Sequence, residues 1–137
     1  MNANGIAMKR PGEAVSKRVI GCGYEVSNEL GAGFFVAVYE QAFCLELQRQ
    51  GLRYERQKHL EVRYKGHVVG QYVADIVVEN ALLVELKALS NLTKEHDAQV
   101  MNYLRATELS VGLLLNFGTP RLGVRRLVWR HDDASII

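Results

Sequence analysis

Two short apolar segments contain three charged side chains whose spacing could do chemistry. Asp75 lies within Val73-Ala74-Asp75-Ile76-Val77-Val78, and Glu85 and Lys87 lie within Leu83-Val84-Glu85-Leu86-Lys87. Both segments read as strands, in which residues two apart share a face, so Glu85 and Lys87 project together while Val84 and Leu86 point the other way. If the intervening hairpin closes through three residues, Glu79 to Ala81, Asp75 falls directly opposite Glu85 with the Cβ atoms about 5 Å apart. A two-residue turn would shift the register by one and separate the carboxylates. Carboxylates held so close repel unless a proton or a cation lies between them. Magnesium suits such a pair because it takes one or two carboxylates and fills its other positions with water and phosphate oxygens; manganese is the natural substitute. Such an ion acidifies a bound water and stabilises charge on a phosphoryl group, and an adjacent lysine orients the water or offsets that charge. The same residues also admit a purely structural reading, in which Lys87 forms an internal ion pair with Asp75 or Glu85 at a sheet edge. Spacing alone leaves both open.

The elements that must position these residues follow from periodicity. Val15, Val19, Cys22, Val26 and Leu30 recur at helical spacing after Pro11, and Gly31-Ala32-Gly33 ends that helix. A second helix is expected with Phe35, Val38, Ala42 and Leu45 on its inner face and Gly51 at its C-terminal stop. Alternating residues from Leu52 to Tyr64 predict a strand, Lys65-Gly66-His67 a turn, and Val68–Val78 and Ala81–Lys87 two further strands. Ser90, Asn91 and Thr93 are N-cap candidates for a third helix that turns Val100, Tyr103, Leu104 and Thr107 inward. Val111–Phe117 is continuously apolar, as expected of a strand covered on both faces, and Val124–Trp129 reads as an edge strand. The order is α-α-β-β-β-α-β-β, an α/β fold with a mixed sheet flanked by helices.

The chain has 137 residues, which suits a single domain over residues 11–130, with short flexible tails at 1–10 and 131–137. No window approaches the roughly 18 apolar residues of a membrane span, and Met1 to Arg10 lacks an apolar leader core, so the cytoplasm is the expected compartment. Cys22 and Cys44 match no zinc spacing and read as reduced, packed thiols. Arg49, Arg53, Arg56 and Lys58 form one basic cluster and Arg121, Arg125, Arg126 and Arg130 another; each either contacts phosphates or is a solvated face. His59, His67 and His131 are scattered without metal-ligand spacing. His96 is placed either to approach the site or to cap its helix. Trp129 reads as a core or edge aromatic.

An Asp followed by Glu-X-Lys on the next strand resembles the PD-(D/E)XK nuclease superfamily. Leu30-Gly31-Ala32-Gly33, Tyr39, Val84-Glu85-Leu86-Lys87-Ala88, His96, Gln99, Tyr103-Leu104 and Leu115-Asn116-Phe117-Gly118 extend the likeness. Together they resemble the bacterial GxxExxY family, a restriction-endonuclease-like group, over residues 15–130. The resemblance implies a restriction-endonuclease-like fold and metal-dependent hydrolysis of nucleic acid, DNA in preference to RNA. It also implies that Asp75, Glu85 and the main-chain carbonyl of Leu86 ligate the metal, that Lys87 positions or activates the attacking water, and that Gln99 orients Lys87, water or phosphate. Tyr103, one turn beyond Gln99, shares its face and reads equally as a core tyrosine.

One departure bears on activity. Where the family pattern has glutamate between glycine and tyrosine, the chain reads Gly33-Phe34-Phe35-Val36-Ala37-Val38-Tyr39. Val36 offers neither charge nor oxygen. Three readings follow: a one-metal enzyme relying on Asp75 and Glu85, migration of the acid to Glu40 or Glu29, or a catalytically inactive module that binds nucleic acid or a protein partner. A homodimer paired through the Val124–Trp129 edge is compatible with each.

Overall fold

The computed structural model describes residues 12–130. Pro11, His131 and the tails expected at 1–10 and 131–137 lie outside them. Helix α1 (Glu13–Leu30) buries Val19, Cys22 and Val26 as its period requires. It stops at Gly31, whose φ of 68° suits glycine and whose N–H donates to the Ser27 carbonyl at 2.9 Å. Helix α2 (Val36–Arg49) follows, and here the expected face is wrong. Tyr39, Phe43, Cys44 and Leu47 are buried, whereas Phe35 and Leu45 are 88% and 60% exposed. The helix carries two apolar stripes, and the one with Tyr39, Phe43 and Leu47 at i, i+4 and i+8 fills the core with larger side chains.

Five strands form one sheet in the order β1-β2-β3-β4-β5: β1 (Tyr54–Tyr64), β2 (His67–Val78), β3 (Leu82–Lys87), β4 (Val111–Asn116) and β5 (Gly123–Val128). Only β3 and β4 are parallel, and helix α3 (Lys94–Ala106) makes the crossover that a parallel pair needs. The element order and the mixed sheet match the sequence expectation. α1 and α2 cover one face, packing with Ile76, Val78, Leu82, Val84 and Leu86. α3 covers the other through Val100, Tyr103 and Leu104 against Ala74, Val77, Leu83 and Leu114. The central strands are thus apolar on both faces, and each fully buried side chain of this kind stabilises by roughly 1.5–3 kcal/mol. α3 crosses β4 so closely that a Cβ at Gly112 would sit 2.7 Å from the Val100 side chain.

The turns set the register. Lys65 and Gly66 have φ of 49° and 82°, the left-handed values a tight hairpin demands, and close β1 on β2. Glu79 and Asn80, with φ of 53° and 52°, lead into Ala81, so the β2–β3 loop has the three residues that an Asp75–Glu85 juxtaposition requires. Pairing of β2 with β1 runs from Tyr64↔His67 to Tyr54↔Val78, but pairing of β2 with β3 covers only Ile76↔Val84 to Val78↔Leu82. Beyond that point β2 leaves β3, and its outer half continues as a two-stranded arm with β1. Strand alternation breaks at the same place. Ala74 and Val77 both face α3, whereas Ile76 and Val78 face α1 and α2. Gln57, across from this break on β1, has a φ of 50°.

Candidate active site

The fork between β2 and β3 is where the carboxylates meet. No ladder bond continues past Ile76↔Val84; the side chains take over. Asp75 N–H donates to Glu85 Oε1 at 3.0 Å, and Leu86 N–H donates to Asp75 Oδ2 at 2.9 Å. Each carboxyl thus satisfies the other strand's backbone, which holds the fork open without leaving buried amides unpaired. Glu85 is 3% exposed, on the α3 side, while Asp75 is half-buried and reaches a cleft on the α2 side. Burial, then the facing Asp75 charge, push Glu85 up to about 8, and a hydrogen bond with the Asp75 side chain adds to the rise. Near neutral pH the pair therefore retains a proton on Glu85.

Lys87 stands on the same strand face as Glu85. Its Nζ donates to Gln99 Oε1 at 3.4 Å, and Gln99 Nε2 donates to the Tyr103 hydroxyl at 3.1 Å. The alternative ion pair of Lys87 with Asp75 or Glu85 does not occur among the ion pairs of the described residues. Tyr103 belongs to the core and to this chain of bonds at once. Burial, then the Glu85 charge, raise its hydroxyl. His96 resolves as a cap: its Nδ1 accepts from the N–H of Thr93, the N-cap of α3, at 2.9 Å.

Asp75, Lys87 and Leu86 line a cleft of about 580 Å³ together with Phe34, Phe35, Val36, Ala37 and Glu40 from the start of α2. The acid expected at position 36 is thus replaced by an apolar wall. Glu40 lies in the cleft, but both of its oxygens are engaged: Arg56 donates to one at 2.7 Å and Gln57 to the other at 3.0 Å. Glu29 lines a different groove, between α1 and α2. Among the described residues no three His, Cys, Asp or Glu side chains cluster as metal ligands.

A feature given no role in the sequence supports the cleft from beneath. Asn116, 3% exposed at the end of β4, accepts from the Leu89 N–H at 2.9 Å and donates to the Leu89 carbonyl at 2.9 Å. A Cβ at Gly118 would meet the Leu89 backbone at 2.2 Å. The loop following Lys87 is therefore clamped. Tyr39 does the same for the loop before α2, donating to Gly31 carbonyl oxygen at 2.5 Å and accepting from Phe34 N–H at 3.2 Å while stacking on Phe117 at 4.8 Å. The signal for Asn116 was a polar residue ending an otherwise apolar strand.

The family model of the PD-(D/E)XK nuclease superfamily matches residues 13–127, which takes in both arms of the fork and all three helices. The chain belongs to the PD-(D/E)XK nuclease superfamily. Within a superfamily named for an acid followed by acid-X-Lys, Asp75, Glu85 and Lys87 occupy that order across the β2–β3 fork. No curated protein matches the chain. The crystal structure of SSO0001 superimposes with a TM-score of 0.56 at 21% identity, covering 90% of this chain and 62% of that one. This chain thus spans less than two thirds of that structure, and the likeness is one of fold.

Much of each basic cluster is ion-paired at the surface. Arg49, Arg53, Arg56 and Lys58 pair with Glu46, Glu79, Glu40 and Glu55, and Arg125 and Arg126 pair with Asp97 and Glu13. Cys22 and Cys44 are free and buried, and burial raises both thiols. Trp129 is a partly buried edge aromatic with Arg105 over its ring. No helix among the described residues is long and apolar enough to cross a membrane.

Proposed function

We propose that the chain is a magnesium- or manganese-dependent nuclease of the GxxExxY family, hydrolysing phosphodiester bonds in DNA in preference to RNA, in the cytoplasm. The observation carrying this reading is the reciprocal carboxyl–amide bonding of Asp75 and Glu85 across the fork, with Asp75, Leu86 and Lys87 lining the cleft. Asp75, Glu85 and the Leu86 carbonyl would hold the ion. When bound, it supplies Lewis acidity toward a phosphoryl oxygen and toward water. Glu85 yields its proton so that the site can accept the cation. Lys87, aligned by Gln99, donates a hydrogen bond to the attacking water or to a non-bridging phosphate oxygen, and Tyr103 fixes the Gln99 amide. Val36 in place of the family glutamate leaves one ion as the complement of this donor set.

Val36 also supports a second reading, a nuclease-like module that binds nucleic acid or a protein without turnover. Titration calorimetry with magnesium and manganese separates the two, followed by cleavage assays. Binding to the wild type that disappears in Asp75→Ala, with cleavage lost in parallel, is the expected result. Wild-type protein that takes up neither metal at millimolar concentration, and cleaves nothing, would move the conclusion to the binding module. Homodimerisation through the open β5 edge is compatible with both and is read by sedimentation.

A further inference from the structure

We infer that Phe35 is a specificity-determining residue, a stacking platform for the base of an unpaired nucleotide, and that the substrate class is single-stranded or locally unpaired nucleic acid. The inference rests on the nuclease reading of the cleft. Phe35 is the N-cap of α2, the residue is 88% exposed, and it lines the same cleft as Asp75 and Lys87. A phenyl ring so exposed gains little from burial. Its mounting is firm all the same: the preceding residue, Phe34, is fixed by its N–H bond to the Tyr39 hydroxyl and by an edge contact between the rings at 6.1 Å. Val36 continues this wall where an acid would have drawn a metal, so the α2 side of the cleft offers apolar contact rather than charge.

The chemistry that fits an aromatic face beside a phosphate-binding lysine is a nucleotide with a free π-face. In a duplex each base is already stacked, and extracting one costs a few kcal/mol, whereas a single strand presents its bases directly. The electrostatics point the same way. Arg56 is bound to the cleft residue Glu40, and Lys87 is the cation among the residues lining the cleft that is left to meet the phosphate. A site short of free cations is a poor clamp for a rigid duplex backbone and needs stacking to hold its substrate.

The test is fluorescence titration of a short single strand carrying 2-aminopurine, and of a hairpin duplex of the same sequence, without divalent metal so that binding is read apart from cleavage. The wild type is expected to bind the single strand more tightly. Phe35→Ala is expected to weaken that binding by about 5- to 150-fold, the usual worth of one stacked base, with duplex binding unchanged, and Phe35→Trp to restore it. Equal loss on both substrates, or none, overturns the inference. So does a wild type that sediments as a dimer while Phe35→Ala sediments as a monomer with strand binding intact, since the patch would then belong to a second copy. Magnesium-dependent cleavage of duplex unaffected by Phe35→Ala would retain the nuclease reading and remove this one. Phe35-dependent strand binding without any cleavage would do the reverse.

Discussion

Glu85 is the residue whose behaviour depends most on its setting, and its sign is testable. Burial and the Asp75 charge raise it from 4.5 to about 8, so between those values the folded chain holds a proton that the unfolded chain has released. Stability then falls as pH rises through that window, the reverse of an ordinary ion-paired carboxylate. In metal-free buffer, urea unfolding at pH 5 and pH 8.5 is expected to show the wild type losing on the order of a few kcal/mol more than Glu85→Gln, which stays neutral throughout. Matching pH profiles would mean that Glu85 ionises as freely in the fold as in the open chain. The same proton must leave when a cation enters, so calorimetry in buffers of different ionisation enthalpy is expected to report proton release at pH 7, and magnesium affinity to rise with pH until about 8. Glu40 makes the contrasting case. With both oxygens held by Arg56 and Gln57, Glu40→Gln is expected to leave magnesium affinity intact where Asp75→Ala abolishes it. A loss equal to that of Asp75→Ala would make Glu40 a ligand and place the displaced acid of the family pattern there.

At the scale of elements, the site is a consequence of where β2 leaves β3, and its precision depends on the clamp beneath Leu89. Gly118→Ala would drive a methyl group into the Leu89 backbone, so a destabilisation of roughly 1–3 kcal/mol is expected from the urea midpoint, with metal affinity weakened because the segment after Lys87 must shift. A fully stable variant with native affinity would show that this loop yields at no cost. Strands and turns were legible because period-two alternation and residues such as Lys65-Gly66 report local backbone directly. Between Val78 and Leu82 the sequence admitted a loop of two residues or of three, Glu79–Ala81, and the register selects three. The inner face of α2 was not legible, since two apolar stripes of similar strength run along it and only packing against α1 and the sheet selects between them. The break in alternation at Ala74–Val77 was hidden for a similar reason: Ala74, Ile76 and Val77 are all apolar, so either face accepts them. The engagement of Glu40 by Arg56 and Gln57 is a long-range event between α2 and β1, beyond any local spacing rule.

For the whole molecule, a net charge of +2 says little until the pairing of the cations is known. Arg49, Arg53, Arg56, Lys58, Arg125 and Arg126 each have an acidic partner, so much of the two runs that look like phosphate-binding patches in sequence is ion-paired within the chain. Binding of nucleic acid by phosphate contacts releases counterions in proportion to the number of contacts, with a log–log slope of about −0.7 per contact on single strands. A chain that holds its substrate chiefly through Lys87 and one stacked base should therefore show a shallow slope, on the order of −1. Measured between 50 and 200 mM salt, single-strand affinity is expected to fall by less than about twentyfold, against the 10³–10⁵ loss typical of proteins making many phosphate contacts. A steep slope would mean that these ion pairs exchange their carboxylates for phosphates on binding. In that case Arg56 is the first to test, because releasing it from Glu40 would at once supply a cation to the cleft and free an acid for the metal.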